Sequence, residues 1–309
     1  MALDMEPGDE VIVPAFTYVA TAEVIALMRL RPIMVDVDPF TYNTSSEYIS
    51  SHISERAKAI VPVHLYGQCC DMSTIMDLAD RHDLRVIEDG AQSIGARTLY
   101  DGSWHSSGTI GDIGCTSFFP SKNLGCYGDG GALYTNDNAL AQKIRMIANH
   151  GQAKKYYHAM VGVNSRLDAM QAAILRVKLK YLKYYCDARV RVADRYDAAF
   201  REHPSMTIPR RTDYSTHVFH QYTVQVASAV RDDLKEFLAK QGIPSMIYYP
   251  LPLYRQEAYR SYYDGGPLPH TEQLCASVLS LPIHTEMKEE DQDYIIAQVL
   301  SYFDKKMMA

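Results

Sequence analysis

Lys122 stands where a lysine can do covalent chemistry. It follows Thr116-Ser117-Phe118-Phe119-Pro120-Ser121 and precedes Gly125-Cys126-Tyr127-Gly128-Asp129-Gly130-Gly131. Asp112 to Cys115 reads as a short strand and Ala132 to Thr135 as the next, so the lysine falls just past a strand end on a glycine-rich turn. Open α/β sheets keep their ligands at such ends. The phosphate-loop spacing of glycine, four residues, then Gly-Lys-Ser/Thr is absent. An amine that forms a Schiff base suits the setting better. It must be partly desolvated to be neutral often enough to attack a carbonyl, and the glycines let backbone approach a flat cofactor. Taken alone, the stretch reads better as the turn of a hairpin carrying a solvated lysine, because most lysines are solvated.

Two further stretches favour the chemical reading. Arg85 to Ile87 is a buried strand pattern that ends in two carboxylates, Glu88 and Asp89, with Gln92 three residues after Asp89. A carboxylate at a strand end can pair with a protonated pyridine nitrogen, which keeps pyridoxal phosphate acting as an electron sink. The plainer role for Asp89 is a helix N-cap. Gly162-Val163-Asn164-Ser165-Arg166-Leu167-Asp168 is a polar loop opening a long helix, and Asn164 or Ser165 is its plain cap.

Together these three stretches resemble the DegT/DnrJ/EryC/StrS sugar aminotransferases, from about Gly8 to the last helix. Glu88-Asp89-Gly-Ala-Gln92, Ser117 to Lys122 and Gly162-x-Asn164-x-Arg166, in that order, carry the resemblance. Tyr66-Gly67-Gln68-Cys69 and the glycine run after Lys122 are similar to the branch that aminates UDP-linked 3-keto-2-acetamido uronic acids. The resemblance implies an α/β chain of the aspartate aminotransferase type, pyridoxal-phosphate fold type I. Its large domain, residues 1–203, has a mixed, mostly parallel sheet; a small α+β domain spans 204–309. It implies pyridoxal phosphate on Lys122, with Asp89 at the pyridine nitrogen, Gln92 at the ring hydroxyl, Ser117 on the phosphate and Tyr18 stacked on the ring. Asn164 would reach the phosphate of the other subunit's cofactor, which makes a homodimer with shared sites. Arg166, Tyr248 and Tyr249 would face the substrate, a nucleotide-linked keto sugar aminated from an amino acid, L-glutamate by resemblance. The chemistry belongs to surface-polysaccharide biosynthesis, lipopolysaccharide included. Many relatives carry a histidine where this chain has Tyr248 or Tyr254. The resemblance also implies that about a third of the large domain's usual sequence, with a phosphate-binding Gly-Thr pair, lies before Met1.

Composition narrows the alternatives. The chain has 309 residues, 47% hydrophobic and 22% charged, with a net charge of −6. That is an ordinary globular balance and disfavours a nucleic-acid surface. The six cysteines show no metal-ligand spacing, so no metal is expected and reduced cytoplasmic thiols are. Val11 to Leu30 is interrupted by Pro14, Glu23 and Arg29, so no membrane span is expected. Rival functions are a sugar dehydratase of the same fold, disfavoured by the presence of Lys122, and a non-enzymatic scaffold. A dinucleotide dehydrogenase fails for want of Gly-x-Gly-x-x-Gly after a strand.

The elements that must position these residues follow from pattern. Glu10–Pro14, 32–37 and 57–63 are β-branched strands alternating with helices at 18–30, 45–54 and 73–82, the sign of βαβ units. Ala139–Ala148 is a helix, and 154–158, Lys-Lys-Tyr-Tyr-His, is a basic and aromatic loop suited to phosphates or a neighbouring subunit, or equally a plain solvated loop. Arg166–Tyr185 and Ala188–Phe200 read as long helices. After Pro204 come a strand at 221–226, a helix at 231–241, a strand at 244–248 and the proline-rich 249–254. His64 is a lone histidine at a strand end with no assigned role.

Overall fold

A computed structural model describes residues 1–307. Strand β1 (Glu10–Pro14) is buried throughout. Helix α1 (Ala20–Leu27) returns the chain to β2 (Arg31–Val35), which lies parallel to β1. A short α2 (Ser46–Ser50) leads to β3 (Ala57–Ile60), on the other side of β1. Helix α3 (Met72–Arg81) buries Met72, Ile75, Leu78 and Ala79, the spacing of one helical face. Its N-cap Asp71 accepts from the Thr74 amide at 3.4 Å. Strand β4 (Arg85–Asp89) pairs parallel to β3. A hairpin of β5 (Arg97–Tyr100) and β6 (Ser103–Ser106) interrupts before β7 (Ile113–Ser117) joins β4 in parallel. Strand β8 (Gly131–Tyr134) closes the sheet antiparallel to β7, giving the order β2-β1-β3-β4-β7-β8. Apolar layers cover both faces: Val11, Val13, Ala22 and Ile25 on one, Ile12, Val35, Ile75 and Val86 on the other. Parallel sheets are stable only when so sandwiched.

Helix α4 (Asn138–Ala148) is followed by a small hairpin, β9 (Gln152–Lys154) and β10 (Tyr157–His158). Helices α5 (Ala169–Lys178) and α6 (Leu182–Phe200) come next. The C-terminal sheet joins β11 (Met206–Thr207), β12 (Tyr222–Val226) and β13 (Val278–Leu281), all antiparallel. Helices α7 (Ser228–Lys240), α8 (Pro269–Ser277) and α9 (Glu289–Met307) accompany it. Its core takes Val192, Tyr196 and Phe200 from α6. Leu253, Tyr254, Tyr259 and Leu268 instead pack into the core beside β1.

Several elements differ from expectation, four of them as follows. The helix expected from Arg166 begins at Ala169, because Asp168 is the cap: its carboxylate accepts the Met170 amide at 2.7 Å. Asn164 and Ser165 stay in the loop before it. The second long helix starts earlier, at Leu182. Residues 244–248 form no strand, only a single bridge from Met246 to Ser280; Pro244 and the prolines at 250 and 252 lack the N–H a ladder needs. The helix expected at 45–54 stops at Ser50, whose hydroxyl bonds back to the Glu47 carbonyl at 3.0 Å, a local bond that competes with helix propagation.

Candidate active site

The C-terminal end of β4 fixes the central carboxylate. Asp89 donates its amide to the Pro62 carbonyl at 2.9 Å and its carbonyl accepts the His64 amide at 3.0 Å. Its side chain is held too: Thr21 Oγ1 donates to Oδ2 at 2.7 Å, and the Ala91 amide to Oδ1 at 3.1 Å. No helix follows Asp89, so the cap role does not apply. Asp89 and Ser117, at the ends of neighbouring strands, line one cavity of about 410 Å³ with Thr21, Ala91 and Cys115. The Ser117 hydroxyl accepts the Phe119 amide at 3.2 Å.

Lys122 sits in the turn after β7, its amide closing onto the Phe119 carbonyl at 2.9 Å. It lines a second cavity, about 440 Å³, with Arg189, His220 and Thr285. Burial lowers the basicity of its amine, and the Asp89 carboxylate offsets that in part. His220, which lines the same cavity, is buried, and burial, then the charges of Lys122 and Arg189, holds the imidazole well below its usual range, hence neutral.

Aromatic side chains form one wall. Gln92 ties it to the strand ends: its Oε1 accepts the Tyr66 amide at 2.6 Å and its Nε2 donates to the Tyr249 hydroxyl at 3.3 Å. The Tyr249 ring lies 5.9 Å from Phe16 and 6.3 Å from Tyr18. Tyr18 keeps 59% of its surface exposed, so a ring face is open. The Tyr66 hydroxyl donates to the Tyr248 carbonyl. Tyr254 belongs elsewhere: its hydroxyl donates to Glu272 at 2.6 Å.

Asn164 and Arg166 are not part of this cluster. They lie on the exposed loop before α5, where Arg166 Nε donates to Asn164 Oδ1 at 2.9 Å. Neither lines the two cavities. Asp168, two residues on from Arg166, is occupied in capping.

Sequence reasoning missed Thr21, His220 and the role of His64. His64 Nε2 lies 2.9 Å from Glu88 Oε2, both fully buried. The Cys70 amide donates to His64 Nδ1 at 3.1 Å, so the ring proton is on Nε2 and is given to Glu88. Glu88 also accepts the amides of Gly108, Ile110 and Gly111 at 3.0, 2.6 and 2.7 Å. Burial alone would raise the Glu88 carboxyl, but the His64 bond and the Gly111 and Ile110 amides outweigh it and leave it below its usual range. This knot braces the strand that presents Asp89. The only sequence signal was the adjacency of Glu88 and Asp89.

The profile of the DegT/DnrJ/EryC1/StrS aminotransferase family matches residues 1–300. The chain is 45% identical over 284 residues to the UDP-2-acetamido-2-deoxy-3-oxo-D-glucuronate aminotransferase of Pseudomonas aeruginosa, covering 92% of this chain and 77% of that one. It is 46% identical over 289 residues to the UDP-N-acetyl-3-dehydro-alpha-D-glucosamine 3-aminotransferase of Acidithiobacillus ferrooxidans, covering 94% and 76%. A solved DegT DnrJ EryC1 StrS aminotransferase from Brucella abortus superposes with a TM-score of 0.90 at 42% identity, covering 96% of this chain and 80% of that one.

Proposed function

Since the chain belongs to the DegT/DnrJ/EryC1/StrS aminotransferase family, whose members depend on pyridoxal phosphate, we propose that it moves an amino group from an amino acid to the keto carbon of a nucleotide-linked sugar, with Lys122 as its reactive lysine. The observation that carries this is Lys122 itself: a half-buried amine of lowered basicity within the field of Asp89.

The residues present fit the cofactor. The donor set offers a held carboxylate, a weakly basic amine, a hydroxyl at a strand end and an open aromatic face. Lys122 would hold the group covalently, Asp89 would meet its ring nitrogen and Gln92 its ring hydroxyl. Ser117 would take its phosphate, joined by Asn164 of the partner subunit, and Tyr18 would lie on its ring. When bound, pyridoxal phosphate supplies an electron sink for the pair left on a substrate carbon that loses its proton, and carries nitrogen between the two substrates.

Lys122 then does the proton work. Once the incoming amine has released it, Lys122 Nζ would work as a free amine whose lowered basicity keeps more of it neutral, taking the proton at the donor's α-carbon in one half of the reaction and giving a proton to the acceptor's carbon in the other. Thr21 and the Ala91 amide stop Asp89 from turning away. Tyr248 and Tyr249 line the substrate side and help exclude water. A homodimer belongs to the same reading. It is supported by exposed apolar side chains along the Asn164 loop and α5, with Val161 85% and Met170 72% exposed. Among the described residues no helix is long and apolar enough to cross a membrane. The six unpaired cysteines support a cytoplasmic place of work.

The sugar is proposed to be a UDP-linked 3-keto-2-acetamido uronic acid. Arg166 supports it: a planar guanidinium binds a carboxylate bidentately, and here, among the described residues, it holds only Asn164. The test has two arms. Borohydride reduction of the loaded protein and peptide mapping should place the cofactor on Lys122. L-Glutamate with a UDP-linked 3-keto sugar should yield 2-oxoglutarate and the amino sugar. Cofactor trapped on a different lysine, or no amination of any nucleotide-linked keto sugar, would overturn the reading.

A further inference from the structure

Arg189, on α6, is a cation buried without an acid. It is 9% exposed, and burial disfavours its charge. Buried charges are ordinarily paired. Nη1 donates to the carbonyls of Phe219, His220 and Ile283 at 3.1, 3.2 and 3.3 Å. Among the described residues no hydrogen bond uses Nε or Nη2, and no carboxylate pairs with the guanidinium. Arg195 of the same helix, by contrast, pairs with Glu289 and Asp293.

The guanidinium borders the same cavity, about 440 Å³, as Lys122, a volume in the range of small-molecule sites. Lys178, half-buried at the end of α5, lines it too. Its Nζ donates to the Gly125 carbonyl and lies 5.6 Å from the Tyr127 ring centroid. His220 on the same wall is neutral. Among the described residues, Glu286 is the one acid lining the cavity, it is exposed, and neither it nor any of the three cations takes part in a salt bridge. Positive charge therefore exceeds negative beside the reacting amine. The plain role for Arg189 is to tie three carbonyls together, but one nitrogen of the fork does that, and the rest of the fork is left over.

We propose that Arg189 and Lys178 form the subsite for the carboxylates of the amino donor, and that this cavity selects a dicarboxylic amino acid. The donor's nitrogen has to take the place of Lys122 Nζ, so the rest of the donor lies in space that borders that lysine. Two carboxylates meet two cations there. The planar guanidinium takes one bidentately and the lysine, a mobile point charge, takes the other. Such charge-assisted bonds are about twice as strong as neutral ones. A monocarboxylic donor would leave one of the two cations unmatched, which a half-buried place penalises. The inference rests on the proposed function, and adds which residues choose the donor.

The experiment follows the absorbance of the cofactor-loaded protein as an amino acid is added without sugar, and measures the binding of glutarate and butyrate by titration calorimetry. Wild type should react with L-glutamate in preference to L-glutamine, which has the same shape and lacks the second charge, and should bind glutarate more tightly than butyrate. Lys178→Met should raise the apparent Kd for L-glutamate at least tenfold and erase most of both preferences. Arg189→Gln should do the same, and Arg189→Lys should restore part of the loss. Circular dichroism melts show which variants fold; where Arg189→Gln does not, Lys178→Met decides. A merely structural Arg189 would lower the melting temperature and leave the ratio of L-glutamate to L-glutamine unchanged. If L-glutamate reacts but wild type shows no preference for two carboxylates, or the folded variants keep it, the subsite falls and the proposed function stands. If no amino acid changes the absorbance of the loaded protein, the proposed function is refuted, and the subsite with it.

Discussion

Replacing Glu88 by glutamine keeps the shape of the side chain and removes one negative charge. Oε1 of Glu88 accepts the Ile110 and Gly111 amides at 2.6 and 2.7 Å, and Oε2 accepts His64 Nε2 at 2.9 Å and the Gly108 amide at 3.0 Å. Four donors therefore converge on two oxygens in a fully buried place. Glutamine offers one oxygen and one NH₂, so whichever way it turns, two donors meet donors. Moving the His64 proton to Nδ1 relieves one clash and creates another with the Cys70 amide, now 3.1 Å away. Each buried mismatch costs about 1–3 kcal/mol, so Glu88→Gln should destabilise by about 2–6 kcal/mol, in the range for breaking a buried pair. Urea unfolding at pH 7, followed by circular dichroism, gives the number. A loss below about 1 kcal/mol would refute the reasoning. The pH dependence is a second check. The folded carboxyl lies below its usual value, so its contribution is complete above the unfolded pKa of about 4.3. It is lost as pH falls through the lower folded value. The gap between wild type and variant should narrow only in that acid window.

Four further outcomes follow from the site. Lys122→Ala should leave no borohydride-trapped cofactor and slow turnover by about 10²–10⁴-fold, read by peptide mapping and a 2-oxoglutarate assay; normal turnover would remove Lys122 from the chemistry. Asp89→Asn should lower kcat at least tenfold, about 1.4 kcal/mol, with KM for the sugar little changed, because the lost charge matters most in the transition state. Arg166→Ala should erase most of the preference for an acidic over a neutral keto sugar in kcat/KM; equal loss for both would make the arginine structural. Gly67→Ala should destabilise by about 1–3 kcal/mol, measured by urea midpoint. Its φ is +107°, and an added Cβ would lie 2.9 Å from Val218 Cγ2 and 3.0 Å from the Phe219 amide.

The sequence by itself determined the framework and the chemistry it supports. The apolar run of β1, buried at every position, and the helical spacing of Met72, Ile75 and Leu78 declare a covered parallel sheet, because burial on two faces leaves a continuous hydrophobic pattern. The strand end at Asp89 and the turn that carries Lys122 could be seen for the same reason, since strand, turn and carboxylate or amine are contiguous. What only the tertiary structure decided are the partners of those residues. Thr21 meets Asp89 across 68 positions and His64 meets Glu88 across 24; His220 and Arg189 reach the neighbourhood of Lys122 from separate elements. A single threonine or histidine has no period and no local turn to announce it. Its role arises only when the sheet stacks the ends of β3, β4 and β7 beside one another and folding removes the water that would otherwise satisfy it. The start of α5 was misjudged for a related reason. Asn164, Ser165 and Asp168 all have capping side chains, and the choice among them falls to the Asn149–Asn164 pairing, which holds the loop extended until Asp168.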